Sequence, residues 1–191
     1  MFKPMPLTLL ALLTMMNPAF AAPSGLIDDF RQDRDVSRLG SAWRLTTDRV
    51  MGGISEAQMT RAVIDGRPAL CLTGTVSLEN NGGFVQMNLD LSPDRGLLDA
   101  SAYNGIRLIV RGDGADYNLH LKTAATRLPW QSYRAAFQTG SAWQEVRLPF
   151  SSFEPHRLVP ALDPTRLKRL GIVAIGRAMS ADVCIAEIRF Y

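Results

Sequence analysis

Short alternating segments separated by Gly and Pro, with no sustained helical period, are the strongest constraint on this chain. Residues 106–111 place Ile106, Leu108 and Val110 on one side. Gly112-Asp113-Gly114 follows as a turn, and residues 117–122 alternate again with Tyr117, Leu119 and Leu121 inward. The pattern predicts a hairpin whose polar face carries Arg107, Arg111, Asn118, His120 and Lys122. Similar strand-like runs occupy 69–73, 83–89, 132–137, 143–148, 170–175 and 183–191, the last with Cys184, Ala186 and Ile188 on one side. Residues 93–98 and 164–170 each have room for a turn or two of helix, with Pro at the start. Many short strands spaced by turn signals indicate an all-β sandwich or barrel. In an antiparallel sandwich one face of each sheet is buried and the other is wet, so polar rows are available for binding.

The chain has 191 residues, enough for one domain and a leader. Residues 1–21 read as a cleavable secretory signal peptide. Lys3 supplies a basic start, residues 7–16 a short apolar run, Asn17-Pro18 a break and Ala19-Phe20-Ala21 a small-x-small cleavage site. The apolar run is shorter than the roughly 20 residues that span a bilayer. Residues 22–191 then form a single domain with a periplasmic or secreted address. With 21 basic and 18 acidic residues the net charge is only +3, and no long basic run appears, which disfavours nucleic acid as a partner. Cys71 and Cys184 are the two cysteines. In an oxidising compartment they are candidates for a disulfide; the other reading is two buried free thiols.

Catalytic patterns are absent from the sequence. His120 and His156 are the two histidines and sit in unrelated segments, too few for a zinc site. There is no HExxH, CxxC or GxSxG, and no acidic loop of calcium type. Asp28-Asp29 reads as part of a solvated N-terminal strand, and Arg111-Gly112-Asp113 as a strand end and its turn. No cofactor is expected, and the chain is read as a non-enzyme. Two glycine pairs stand out instead: Gly52-Gly53 within residues 47–55, and Gly82-Gly83 within residues 78–84. Neither precedes a Lys and a helix as a phosphate loop requires. Trp130, Tyr133, Phe137, Trp143, Phe150 and Phe153 cluster in one third of the chain. Trp130, after Pro129, is the expected exposed one, suited to stacking on a sugar or anchoring a partner.

Taken in order, these residues resemble the complex I intermediate-associated protein 30 family. The resemblance runs from Trp43 through Thr47-Asp48-Arg49-Val50-Met51-Gly52-Gly53-Ile54-Ser55 to residues 72–84. It continues through Tyr103-Asn104-Gly105-Ile106, residues 110–114, Tyr117, Trp130, Tyr133, Phe137, residues 143–150, Phe153, Gly171-Ile172 and Glu187-Ile188. It covers roughly residues 26–191. It implies a galactose-binding-domain-like jelly-roll β-sandwich and assembly or chaperone-type protein interaction rather than catalysis. The mitochondrial members act in the matrix, which corresponds to the bacterial cytoplasm, whereas the leader directs this chain to the opposite side. The expected partner is therefore a protein of the envelope or a membrane-complex subunit. The expected surface comprises Asp48, Arg49, Met51, Gly52, Gly53, Ser55, Glu79, Asn80, Asn81, Gly82 and Gly83, with Arg111, Asp113, His120, Trp130 and Tyr133. The alternative is a periplasmic carbohydrate-binding module using aromatic stacking and polar side chains on a sheet face.

Overall fold

The computed structural model describes residues 25–32 and 36–191. The signal peptide expected over residues 1–21 lies outside the described residues. The strands are β1 (Leu26–Asp28), β2 (Trp43–Thr47), β3 (Glu56–Ile64), β4 (Arg67–Val76), β5 (Phe84–Asp90) and β6 (Gly105–Gly112). They continue as β7 (Asp116–Thr123), β8 (Ser132–Gln138), β9 (Gln144–Pro149), β10 (Glu154–His156), β11 (Leu167–Ile175) and β12 (Met179–Phe190). Two six-stranded sheets result. The first has the order β3-β4-β12-β6-β9, with β1 also on β12; the second has the order β10-β8-β7-β11-β5-β2. The pairings of both are antiparallel.

Alternation builds the core. Leu72, Val183, Ile185, Ile106 and Leu108 of the first sheet and Met87, Leu89, Leu119, Leu121 and Ile172 of the second belong to one buried cluster. Side chains of period two commit one face of each strand to this layer and leave the other for solvent. The tightest connection is the β3–β4 hairpin, where Asp65 and Gly66 both take positive φ (53° and 74°), as a two-residue primed turn requires.

Four sequence expectations are corrected. β6 and β7 do not form a hairpin: β6 lies between β12 and β9, and β7 between β8 and β11. The segment after Gly112 crosses between the sheets. A Cβ at Gly112 would lie 2.6 Å from the Asp182 carbonyl oxygen and 2.7 Å from Thr139 Oγ1. The Asp182 N–H donates to Tyr117 Oη at 2.8 Å, tying the two sheets together at this crossing. In β12 the register shifts between Ile185 and Glu187. This bulge leaves Cys184 and Ala186 in a separate outer cluster while Ile188 joins the core. Residues 164–170 give one 3₁₀ turn, Pro164–Arg166, before β11 begins, and residues 93–98 form bends and turns rather than helix. Asp28 is buried rather than solvated; its carboxylate accepts from Phe30 N–H (3.0 Å) and Trp43 Nε1–H (2.9 Å).

Candidate functional site

The two glycine pairs converge on one carboxylate. Asp48 opens a 3₁₀ turn, Asp48–Met51, and is fully buried. Its Oδ1 accepts from the Ser55 N–H at 3.0 Å. Its Oδ2 accepts from Ser55 Oγ–H, from the Gly83 N–H at 2.6 Å and from the Phe84 N–H at 3.3 Å. Ser55 Oγ in turn accepts from the Ser77 N–H at 2.9 Å. There is no space for side chains around this knot: a Cβ on Gly53 would lie 2.4 Å from Asp48 Cγ, and one on Gly82 2.5 Å from Asp48 Oδ2. Gly52 and Gly83 hold φ of 93° and 129°, a region that L side chains rarely adopt. Burial pushes the Asp48 carboxyl up, but the Ser55 hydroxyl and the N–H groups of Gly83, Ser55 and Phe84 outweigh it and hold the group below the usual carboxylate range.

Asp48, Gly53, Ser55 and Gly83 are therefore buried, and the expectation that they meet a partner directly is corrected. What the knot presents to solvent is apolar. Val50 is 75% and Met51 60% exposed, and Ile54 and Leu78 of the same two loops are exposed too. Arg49, Gly52, Glu79, Asn80 and Asn81 are exposed around these side chains, and Gly82 is half-buried.

A second arrangement is the outer face of the second sheet. Register lines up Glu154, Arg134, His120, Gly171, Asn88 and Arg44 in one row across all six strands. Lys122, Arg169 and Asp90 form the next row on one side, and Asn118, Val173 and Gln86 on the other. Asp90 holds Arg44 and, at 2.6 Å, Arg169. Arg134 Nε–H donates to Ser132 Oγ at 3.0 Å, and Lys122 Nζ to the Pro129 carbonyl at 2.6 Å. His120 is 9% exposed, and its Nε2 has no hydrogen-bond partner among the described residues. Burial, then Arg134 and Lys122, push its pKa down to about 3, so the imidazole is neutral near pH 7.

The remaining expected residues separate. Arg111 lies in the first sheet, 3.1 Å from Asp65 and over the Trp143 ring, and so does not share a face with His120. Asp113 takes the Tyr117 hydroxyl at 3.1 Å. Tyr133 is fully buried, its hydroxyl donating to the Ala161 carbonyl, because its position in β8 faces the core; its candidacy for the surface is corrected. Trp130 is exposed in the loop before β8. Cys71 and Cys184 are directly opposite in β4 and β12 and are joined by a disulfide. Among the described residues no group of three or more His, Cys, Asp or Glu is placed to hold a metal ion. Arg134, Asn88 and Gln86 carry no local sequence mark; only long-range strand register assembles them beside His120.

Comparison with known proteins fits the fold. A family 11 carbohydrate-binding module of a cellulosomal cellulase of Clostridium thermocellum superimposes with a TM-score of 0.67 at 14% identity, covering 86% of this chain and 92% of the module. The family 11 module from Clostridium thermocellum in complex with a β-1,3-1,4-mixed-linked tetrasaccharide gives a TM-score of 0.65 at 14% identity, covering 87% and 94%. At such identity the likeness establishes the jelly-roll fold. In sequence, the chain is 30% identical over 141 residues to the mitochondrial complex I intermediate-associated protein 30 of Mus musculus. That match covers 65% of this chain and 40% of the mouse protein. The family model for complex I intermediate-associated protein 30 matches residues 29–183, a span that includes both glycine pairs and the Asp48 knot. The chain belongs to the complex I intermediate-associated protein 30 family.

Proposed function

We propose that this chain is a non-catalytic, exported binding protein of the assembly type that holds a protein partner of the envelope at the loops around Asp48. The observation that carries the reading is the combination of a rigid buried carboxylate with an apolar tip. Four backbone or hydroxyl donors are fixed on Asp48, and the same loops display Val50, Met51, Ile54 and Leu78 to solvent. Rigid presentation of exposed aliphatic and Met side chains lowers the ordering cost of association and supplies apolar area for it. The family name supports a protein partner.

The test is in-cell crosslinking of the tagged full-length chain, read by mass spectrometry, beside the Val50→Glu/Met51→Glu variant. Both substitutions leave the knot intact. A partner captured by the wild type and lost from the folded variant supports the reading; equal capture by both overturns it. Recovery of complex I membrane subunits assigns the family's role to this chain, and recovery of another envelope protein assigns a different client. Export is read separately, from the mass of the mature N-terminus and from fractionation. A second reading, a carbohydrate-binding module, is favoured by the hydrogen-bonding groups left without protein partners on the outer face of the second sheet. A glycan screen of the purified protein tests it, and no binding at millimolar ligand removes it.

A further inference from the structure

The two outer faces of the sandwich differ in how their charges are balanced. On the first sheet Arg107 pairs with Glu145 and Glu187, Arg147 with Glu145, Arg189 with Glu187, and Arg111 with Asp65. Each of these four cations has a carboxylate. On the second sheet Asp90 serves Arg44 and Arg169. Arg134 and Lys122, both half-buried, have none among the described residues. Glu154 sits opposite Arg134 in register without forming an ion pair. Burial lowers the pKa of both cations, and neighbouring positive charge lowers it further, from Arg157 on Arg134 and from Arg169, Lys168 and Arg134 on Lys122. Half-buried cations that repel one another and lack a counter-ion make a site that gains from an anion.

The groups between these cations suit a sugar. His120 is nine-tenths buried, its enclosed Nε2 has no hydrogen-bond partner among the described residues, and its neutral ring has one donor and one acceptor. Asn118 and Gln86 flank Val173 in the adjacent row, and each amide also both donates and accepts. Sugar hydroxyls need that dual character. Gly171, between His120 and Asn88, is buried but adds no side chain of its own, so the row stands lower there than at its neighbours. Trp130 is exposed and follows Pro129, whose carbonyl holds the Lys122 ammonium, so an exposed aromatic residue sits one position from the cation's anchor. A peptide would add at a sheet edge through its backbone, but the interior strands here offer side chains only.

We infer that the outer face of the second sheet, centred on His120, Arg134 and Lys122, binds an acidic oligosaccharide, with its carboxylate or sulfate on the cations and its hydroxyls on His120, Asn118 and Gln86. This rests on the second reading above and names its ligand class. It is independent of the apolar loops around Asp48.

Calorimetric titration of the purified full chain with hexagalacturonate, its methyl ester, a sulfated hexasaccharide, cellohexaose and hexaglutamate tests it. The expected result is binding of hexagalacturonate or the sulfated hexasaccharide at least tenfold tighter than of the methyl ester and cellohexaose. Arg134→Gln should weaken that binding about 10- to 100-fold, the range for a hydrogen bond to a charged group, and Trp130→Ala should weaken it without changing the preference for acid. Trp130 is exposed and Arg134 half-buried, and circular dichroism checks that the variants fold. Equal binding of neutral and acidic hexasaccharides overturns the assignment of charge while leaving a carbohydrate reading intact. Binding of hexaglutamate as tightly as of the acidic sugar also overturns it, in favour of an acidic peptide. No binding of any probe at millimolar concentration overturns both.

Discussion

Asp48 shows how much of a family pattern can be devoted to holding one side chain. Its oxygens satisfy donors from two loops, one of them 35 residues away in sequence. Asp48→Asn substitutes an amide for an acceptor and leaves buried N–H groups unpaired, each worth about 1–3 kcal/mol. The expected loss is about 3 kcal/mol or more, measured as a lower urea midpoint at unchanged slope. Gly53→Ala forces a methyl group against Asp48 and should cost about 1–3 kcal/mol by the same measurement. Because the Asp48 pKa is lowered on folding, its stabilisation is present above the unfolded value near 3.8 and is lost as pH falls through the folded value. His120 acts in a higher window. With its folded pKa near 3, the unfolded chain binds a proton below about pH 6.5 that the folded chain does not. Stability of the wild type relative to His120→Gln should therefore fall by about 2–3 kcal/mol between pH 6.5 and 4.5; parallel thermal melts across that range check it. In the sequence the glycine pairs are conspicuous, but their cause is not. A glycine that yields space to a distant carboxylate looks the same as one that makes a turn.

At the scale of elements, periodicity locates strands better than it assigns them to sheets. Alternation over 106–111 and 117–122 is real, and Tyr117, Leu119 and Leu121 do face inward. Gly112-Asp113-Gly114 marks where the chain bends, but a bend carries no information about which sheet receives the next strand. By contrast Asp65-Gly66 is a local signal that does specify its hairpin. The bulge in β12 is equally silent, since one extra residue changes the face of everything after it. Gly171 is the element-scale counterpart of these limits: a glycine in a central strand with room beside it, its nearest side-chain atom, Gln86 Oε1, 3.4 Å from a built Cβ. Gly171→Ala, whose methyl group meets only ordinary van der Waals contacts, should raise stability by about 0.5–1 kcal/mol through backbone entropy. The same change should weaken binding of the acidic oligosaccharide by raising the row between His120 and Asn88. Denaturant unfolding and titration of the one variant separate the two effects.

Over the whole molecule, the all-β class was legible because it depends on many short segments at once, so single misassigned faces do not disturb it, whereas the jelly-roll type came with the resemblance to the family. The pairing of Cys71 with Cys184 was not decidable from spacing, since it requires β4 and β12 to be neighbours in register. The bond should contribute about 2–4 kcal/mol, so that reduction lowers the guanidinium midpoint while Cys71→Ala/Cys184→Ala, folded, no longer responds to reductant. Its position also divides the chain mechanically. The two cysteines are 113 residues apart, and β5 to β11 lie wholly within the closed loop. A force applied to the two ends can draw out only what lies outside that ring, chiefly β1, β2 and β3. At roughly 0.36 nm per residue the oxidised protein should stretch about 40 nm less than the reduced one, leaving the five strands of the second sheet other than β2, with Arg134 and Lys122, shielded from tension on the termini.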